Sequence, residues 1–394
     1  MNFKKIMATI TVAATAFAVG CSNGGNEASG ETSGSGQESD TIKIGSMFEL
    51  TGSAAGYGNT QNNAVHMAVD EINEAGGVNG KNLEVVEYDT GTDDAQAAQL
   101  ATSLTSQEQV VSIVGPALTG GFQAAIPVAN QAETPIISPS ATDDGVLTDA
   151  QGNTHPYAYR TGFTNSFQGG ALAQFANNEL GASKAVILGD NSTDYATGLT
   201  ETFTNSFDGE IVSVENFTSG QTDFSAVLTN IAEMDFDVLF VPGYYEQAGP
   251  IIKQAREMGI DQAIIGPDGF GNDAIFELGG PENMNDIYYT SHFVTESEDP
   301  EVQAYVSNYQ ENFDSEPDMF SGLAYDAVYV IAEAIERAGT TDPVVVNEEI
   351  EATTDFEGIT GTFSFNEGHD PVKTVSIIEI QENEPVAVHE VDPE

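Results

Sequence analysis

Two clusters of small and hydroxyl residues are the part of this chain best suited to bind a small anion. The first occupies residues 115–120 and the second residues 138–142, and each directly follows a short apolar, β-branched run. Such a run is typical of a buried parallel strand, and ligands bind at the carboxyl ends of these strands. Backbone N–H groups in the two turns, together with the hydroxyls of Thr119 and Thr142, predict a pocket for a small carboxylate. The alternative is that both clusters only form turns and helix caps.

Alternating strand and helix patterns must position these two clusters. Short apolar segments alternate with helix-length amphipathic segments, which predicts an α/β fold with doubly wound parallel sheets. The pattern runs once to about residue 161 and then restarts without a long linker, so we expect two similar halves. The elements predicted around and after the clusters are a first helix over 62–75, strands at 110–114 and 135–137, late helices over 301–313 and 320–338, and late strands at 361–365 and 375–380.

The charge balance excludes some classes of partner. The chain has 62 acidic and 10 basic residues, for a net charge of −52, and its hydrophobic content of 40% indicates that it folds. Binding to phosphate groups needs clustered lysine and arginine, so nucleic acid is not an expected partner. Repulsion among so many acids is screened at about 1 M salt, where the Debye length is about 3 Å. We therefore expect adaptation to a saline environment.

The first forty residues are typical of a secretion signal followed by a tether. Lys4 and Lys5 precede an apolar stretch over 6–19 that is too short to span a membrane comfortably. The stretch ends just before Cys21, the only cysteine, in a pattern that resembles the bacterial lipoprotein cleavage box. We expect a lipoprotein signal peptide at 1–20, a lipid on Cys21 that anchors the protein to the membrane outside the cytoplasm, and a flexible tether at 21–40. The alternative is a signal cleaved nearby with an incidental cysteine.

Motifs of enzymes and cofactor sites are missing from the sequence. The five histidines have no metal-ligand spacing, and no GxSxG motif occurs. The glycine-rich segment at 52–58 lacks the lysine of a phosphate loop. We therefore expect neither an enzyme nor a bound metal or cofactor, although a secreted enzyme is the competing class.

The order of several motifs resembles the branched-chain amino-acid-binding proteins of ABC importers. These motifs are LTGSAAGYG, AGGVNGK, VGPALTGG, SPSAT, FVPGYYEQ and GPDG. The similarity extends from Thr41 to about residue 370 and implies the type I periplasmic-binding fold, in which two Rossmann-like lobes are joined by three crossovers. Lobe 1 would comprise 41–164 and 293–365, and lobe 2 would comprise 165–292 and 366–394. The resemblance implies capture of a small amino acid between the lobes and its delivery to an ABC permease; we expect a monomer.

The resemblance also implies a set of ligand-binding residues. Thr119 and Thr142 would bind the ligand carboxylate, and Asp268 would pair with its ammonium group. The whole predicted set is Tyr57, Leu118, Thr119, Ser140, Ala141, Thr142, Tyr195, Tyr244, Asp268 and Phe320. Leu118, Phe270 and Phe320 are the expected apolar wall.

The position of Asp268 leaves the exact ligand open. Family members that bind leucine commonly carry the longer glutamate at this position. The expected solute is a branched-chain or similar aliphatic amino acid, and the alternatives are an amide, urea or an aromatic acid. A role as a ligand sensor, without transport, is a further alternative.

Overall fold

Two mostly parallel β-sheets form the framework of the computed structural model, which describes residues 41–295, 297 and 299–391. The first sheet has five parallel strands in the order β2-β1-β3-β4-β5. These strands are β1 (Thr41–Phe48), β2 (Asn82–Asp89), β3 (Ile113–Val114), β4 (Ile136–Ser138) and β5 (Ala158–Arg160). The described residues belong to one compact unit that begins at Thr41.

Seven strands form the second sheet, and two more form a separate hairpin. In chain order they are β6 (Lys184–Asp190), β7 (Glu210–Phe217), β8 (Val238–Phe240), β9 (Ala263–Gly266), β10 (Ile287–Ser291), β11 (Phe356–Gly358), β12 (Gly361–Phe363), β13 (Val375–Gln381) and β14 (Glu384–Val391). The order in the second sheet is β14-β13-β10-β9-β8-β6-β7, while β11 and β12 pair with each other. Only β13 and β14 add antiparallel pairs to this sheet within the described residues.

Helices cover the sheets. They are α1 (Ala55–Glu74), α2 (Asp94–Ser103), α3 (Thr119–Ala132), α4 (Asn165–Asn178), α5 (Asp194–Ser206), α6 (Ser225–Ile231), α7 (Tyr245–Glu257), α8 (Ala274–Gly279), α9 (Pro300–Phe313), α10 (Met319–Ala338) and α11 (Pro343–Glu351). In the half built on the first sheet, α1 packs against α10 and α2 against α3. In the other half, α4 packs against α5 and α7 against α8.

Helix α1 shows how the local sequence sets an element and its end. Ala64, Ala68 and Ile72 recur at four-residue spacing and are buried, so one face of the helix packs into the core. After the helix ends at Glu74, the chain turns through Gly76 and Gly77, whose φ angles of +111° and +71° favour glycine. A Cβ at Gly77 would lie 2.1 Å from the Lys81 carbonyl oxygen, so a side chain does not fit there.

The α/β class with parallel sheets is confirmed. The chain passes between the two sheet-centred halves three times, after β5, after β10 and after β12. Helix α1 begins at Ala55 rather than at the predicted residue 62, because its early glycines are helical. Strand β3 is only two residues long, although Val111 and Ser112 before it also form backbone hydrogen bonds to β1.

Predictions for the two ends of the chain are incomplete at one end and lie outside the described residues at the other. Helix α11 and strand β14 were not predicted. The predicted signal peptide at 1–20, Cys21 and the tether at 21–40 lie outside the described residues and stay predictions. Within the part of the chain that the structure describes, no helix has the length and apolar character to cross a membrane.

Candidate functional site

Segments from both halves of the chain meet around a small cavity. Its lining residues are Tyr57, Ala117, Leu118, Thr119, Ser140, Tyr195, Tyr244, Asp268, Gly269 and Phe320. The loops after β3, β4, β8 and β9 supply most of them, so the cavity lies at the carboxyl ends of strands. The cavity encloses about 270 Å³ of empty space, part of which is open to solvent. A wider cleft shares Thr119, Tyr195 and Tyr244 and gives access to it.

Asp268 provides the carboxylate of the lining and is 2% exposed. Its Oδ1 accepts hydrogen bonds from the Tyr195 hydroxyl at 2.6 Å and from Gln168 Nε2 at 3.1 Å. Its Oδ2 accepts one from His292 Nε2 at 3.1 Å. A carboxylate has about four acceptor positions, so these three donors leave about one for an N–H group of a ligand.

His292 holds Asp268 without neutralising it. The Nδ1 atom of His292 accepts the Phe163 backbone N–H at 3.4 Å, so the ring hydrogen lies on Nε2 and is donated to Asp268. The ring also stacks on Phe163 with centroids 3.4 Å apart. Burial lowers the pKa of His292 and outweighs the opposite effect of Asp268, which keeps the imidazole neutral. The site therefore holds an acid whose positive partner is not supplied by this histidine.

Thr119 provides groups suited to an anion. It is the first residue of α3, where backbone N–H groups and the helix dipole favour negative charge. Its side chain is 4% exposed, and its hydroxyl has no hydrogen-bond partner among the described residues. Ser140 lies beside it in the lining and donates to the Ala117 carbonyl oxygen at 3.0 Å. The first half thus presents a free hydroxyl and a helix start, while the second half presents Asp268.

Aromatic rings form the rest of the wall. Tyr57 makes edge contacts with Tyr244, Tyr245 and Phe320, with centroids 5.8, 4.9 and 5.1 Å away. Tyr195 stacks on Tyr244 at 4.8 Å. Of the two adjacent tyrosines, Tyr244 lines the cavity while Tyr245 is buried against Tyr57. Such rings offer apolar contact area to an aliphatic side chain.

Eight of the ten predicted site residues line the cavity. Ala141 and Thr142 do not, although both are fully buried beside Ser140. The Ala141 N–H donates to Ser138 Oγ and its carbonyl oxygen accepts from Arg160, so both of its main-chain groups are used within the protein. The Thr142 hydroxyl is buried without a hydrogen-bond partner. Phe270, expected in the wall, is buried but outside the lining.

Sequence reasoning missed several residues of the site. Ala117 and Gly269 are in the lining, and Gln168 and His292 hold Asp268 from behind. No local pattern marks Gln168, because α4 contains several other polar residues, among them Asn165 and Gln174. The described ranges contain no group of three or more histidine, cysteine, aspartate or glutamate residues placed to hold a metal ion.

Comparison with known proteins places the chain in a family. The model of the family described as periplasmic binding protein matches residues 41–385. The chain belongs to this family. A leucine-, isoleucine-, valine-, threonine- and alanine-binding protein of Pseudomonas aeruginosa is 29% identical over 334 residues, which cover 84% of this chain and 87% of that protein.

Two solved structures are also similar to this periplasmic binding protein. The branched-chain amino acid transporter substrate-binding protein LivJ from Streptococcus pneumoniae, in complex with isoleucine, is 40% identical with a TM-score of 0.86, covering 90% of this chain and all of that one. The leucine-binding protein LivK from Thermotoga maritima is 30% identical with a TM-score of 0.81, covering 89% and 98%. The predicted type I periplasmic-binding fold is confirmed, and so is the prediction of a solute-binding protein of a transporter rather than an enzyme.

Proposed function

We propose that this periplasmic binding protein captures a branched-chain or similar aliphatic amino acid in the cavity and delivers it to an ABC permease. One observation carries the proposal: a buried carboxylate, Asp268, and a free hydroxyl at a helix start, Thr119, line the same small cavity. An amino acid zwitterion needs a negative partner for its ammonium group and an anion site for its carboxylate. The relatives and structures named above include binders of leucine and isoleucine.

The aromatic wall supports an aliphatic side chain on the ligand. Tyr57, Leu118, Tyr244 and Phe320 offer apolar surface in the lining. Full burial of a leucine or isoleucine side chain contributes about 1.5–3 kcal/mol.

Closure of two lobes around the ligand is part of this proposal. Lobe 1 would comprise residues 41–164 and 293–365, and lobe 2 residues 165–292 and 366–394. Thr119 binds the ligand first, and residues of the second lobe, including Asp268 and Tyr244, join when the lobes close. The closed form then presents its surface to the permease.

The cellular setting is proposed from the sequence alone. Residues 1–20 would direct secretion, a lipid on Cys21 would anchor the protein outside the cytoplasm, and residues 21–40 would act as a tether. We propose that the protein works as a monomer in a high-salt environment, in line with its net charge of −52.

A thermal-shift panel with matched ligands tests the function. The chain from Thr41 onward, in about 2 M salt, is mixed with isoleucine, leucine and valine, and with leucinamide and 4-methylpentanoate, which lack the carboxylate and the ammonium group respectively. Ligand at 100 times its dissociation constant adds about 2.7 kcal/mol to the free energy of unfolding. We expect a large shift with the three amino acids and little with the two truncated compounds.

Other solutes in the panel separate the alternatives. Urea, short amides and benzoate are included at the same concentrations. A thermal shift with one of these solutes alone would show that the protein binds a different class of ligand, while the fold and the solute-binding role would still stand. An equal shift with leucine and 4-methylpentanoate would contradict the proposed role of Asp268.

A further inference from the structure

A buried acid, Glu49, lies behind the loop that leads into Thr119. Glu49 directly follows β1 and is 2% exposed. Its Oε2 accepts the Ala117 backbone N–H at 3.1 Å, and its Oε1 accepts the Leu118 backbone N–H at 3.3 Å. The protein's own carboxylate therefore occupies the two N–H groups that precede Thr119, and an incoming anion has to bind at Thr119 and beyond.

Two helices leave space for this acid. A Cβ at Gly58 of α1 would lie 2.2 Å from the Glu49 carbonyl oxygen, so no side chain fits there. A Cβ at Gly121 of α3 would lie 3.5 Å from Glu49 Oε1 and would only touch it. Glycine at position 58 thus lets α1 approach the backbone of Glu49, and the start of α3 lies next to its carboxyl group.

Among the described residues, the titratable groups that act on Glu49 are another acid and a tyrosine. Asp94, the first residue of α2, acts on it as a like charge, and the Tyr244 hydroxyl faces it from the second half. Helices α1 and α3 present glycine to it. Burial is the largest effect and raises the pKa of Glu49 from 4.5 to about 7, although the two loop N–H groups oppose this rise. Near neutral pH the group is therefore poised to gain or lose a proton.

We propose that Glu49 is a positioning residue for the carboxylate of a bound amino acid and that it takes up a proton from solvent when that carboxylate reaches Thr119. The inference rests on the proposed function, because it requires a ligand carboxylate at Thr119. The ligand carboxylate and the Glu49 carboxylate would then lie at one helix start, and two neighbouring carboxylates do not both stay ionised at low cost. The proton adds to a Glu49 oxygen while the carboxyl group continues to hold the loop.

The sign of the pH dependence follows from this linkage. Below pH 7, Glu49 already carries its proton in the free protein, so ligand affinity does not change with pH. Above pH 7, each binding event has to bring a proton, so affinity falls as the pH rises, approaching about tenfold per pH unit.

Calorimetry measures the proton directly. The chain from Thr41 onward is titrated with isoleucine at pH 8 in two buffers of different protonation enthalpy, which gives the number of protons taken up per ligand. We expect a value approaching one for the unaltered chain and close to zero for Glu49→Gln. Asp326→Asn is the matched control. Asp326 is a buried acid of α10 that lies outside the cavity lining, and its carboxylate accepts the Ile359 and Thr360 backbone N–H groups at 2.9 and 3.0 Å. We expect the Asp326→Asn variant to take up as many protons per ligand as the unaltered chain.

The outcomes separate this inference from the proposed function. Tight isoleucine binding without proton uptake in the unaltered chain would overturn the role of Glu49, even if Glu49→Gln fails to fold. Equal uptake in the unaltered chain and in a folded Glu49→Gln variant would overturn it as well. A lack of isoleucine binding at every pH would instead overturn the proposed function, and this inference with it.

Discussion

The Tyr57 hydroxyl donates a 2.5 Å hydrogen bond to the carbonyl oxygen of Gly269, and the two residues come from opposite halves of the molecule. The same hydroxyl accepts the backbone N–H of Tyr245 at 3.2 Å. Burial raises the pKa of Tyr57 well above its usual value, so the hydroxyl keeps its proton and remains a donor. A single side chain of α1 thus ties the first half to two backbone groups of the second half, beside the cavity.

Tyr57→Phe tests this link. The phenyl ring preserves the contacts with Tyr245 and Phe320, while the two hydrogen bonds of the hydroxyl are lost. At about 0.5–1.5 kcal/mol for each bond, isoleucine affinity falls by about 5–160-fold if both bonds form only on closure. Calorimetric titration gives the affinity, and unchanged binding would show that the link contributes nothing to capture.

Asp268→Asn tests the proposed ammonium partner. The amide is close in shape to the carboxylate but has no negative charge, so we expect isoleucine binding to weaken by about 2–4 kcal/mol. Unfolding by heat is measured alongside, with Asp326→Asn as the control for loss of a buried acid elsewhere. Normal affinity in a folded Asp268→Asn variant would remove Asp268 from the site.

The stability of the protein is expected to fall as the pH rises from about 4.5 to 7. Burial raises the pKa of Glu49, Glu246 and Asp318 to about 7, so the folded state holds protons that the unfolded state has already released. Glu49 and Asp318 each cost on the order of 3 kcal/mol by pH 7. The lowered pKa of His292 acts in the opposite sense below pH 6.5, but it is a single group against three.

Urea unfolding at fixed high salt checks this pH dependence. The free energy of unfolding is measured at intervals between pH 4.5 and 7.5 for the unaltered chain and for Asp318→Asn, which should show a shallower decline. Rising stability over this interval would contradict the assigned pKa directions.

Salt is expected to stabilise the fold strongly. With 62 acids against 10 basic residues, repulsion opposes the compact state, and at about 1 M salt the Debye length falls to about 3 Å. Near-ultraviolet circular dichroism should show loss of tertiary structure on dialysis to low salt and its recovery on adding NaCl. Full structure and unchanged thermal stability at low salt would refute the proposed saline adaptation.

Candidate ligand-binding residues at strand ends could be predicted from the sequence, whereas the residues that hold them in place through hydrogen bonds could not. Thr119 and Ser140 lie in turns that follow apolar runs, so the rule that ligands bind at the carboxyl ends of strands was enough to select these turns, whereas Asp268 was implied by the resemblance to the family. Glu49 and His292 act through hydrogen bonds to residues distant in the sequence, and in a chain with 62 acids no local pattern marks Glu49.

The predicted bounds of helices and strands are wrong where tertiary contacts override local conformational preference. Glycine usually weakens a helix, yet Gly58 lies within α1 because only glycine lets that helix approach the Glu49 backbone. The apolar run at 110–114 predicts five strand residues, but only Ile113 and Val114 pair in the ladder. Apolar character reports burial, and it does not distinguish a buried strand from buried irregular chain.

A crystal structure of the chain from Thr41 onward with bound isoleucine tests the central claim most directly. We expect the ligand ammonium nitrogen within about 3 Å of an Asp268 carboxylate oxygen and the ligand carboxylate at the Thr119 hydroxyl. The isoleucine side chain should lie against the ring of Tyr57. Isoleucine bound elsewhere, or bound in the cavity with its carboxylate toward Asp268, would contradict the account.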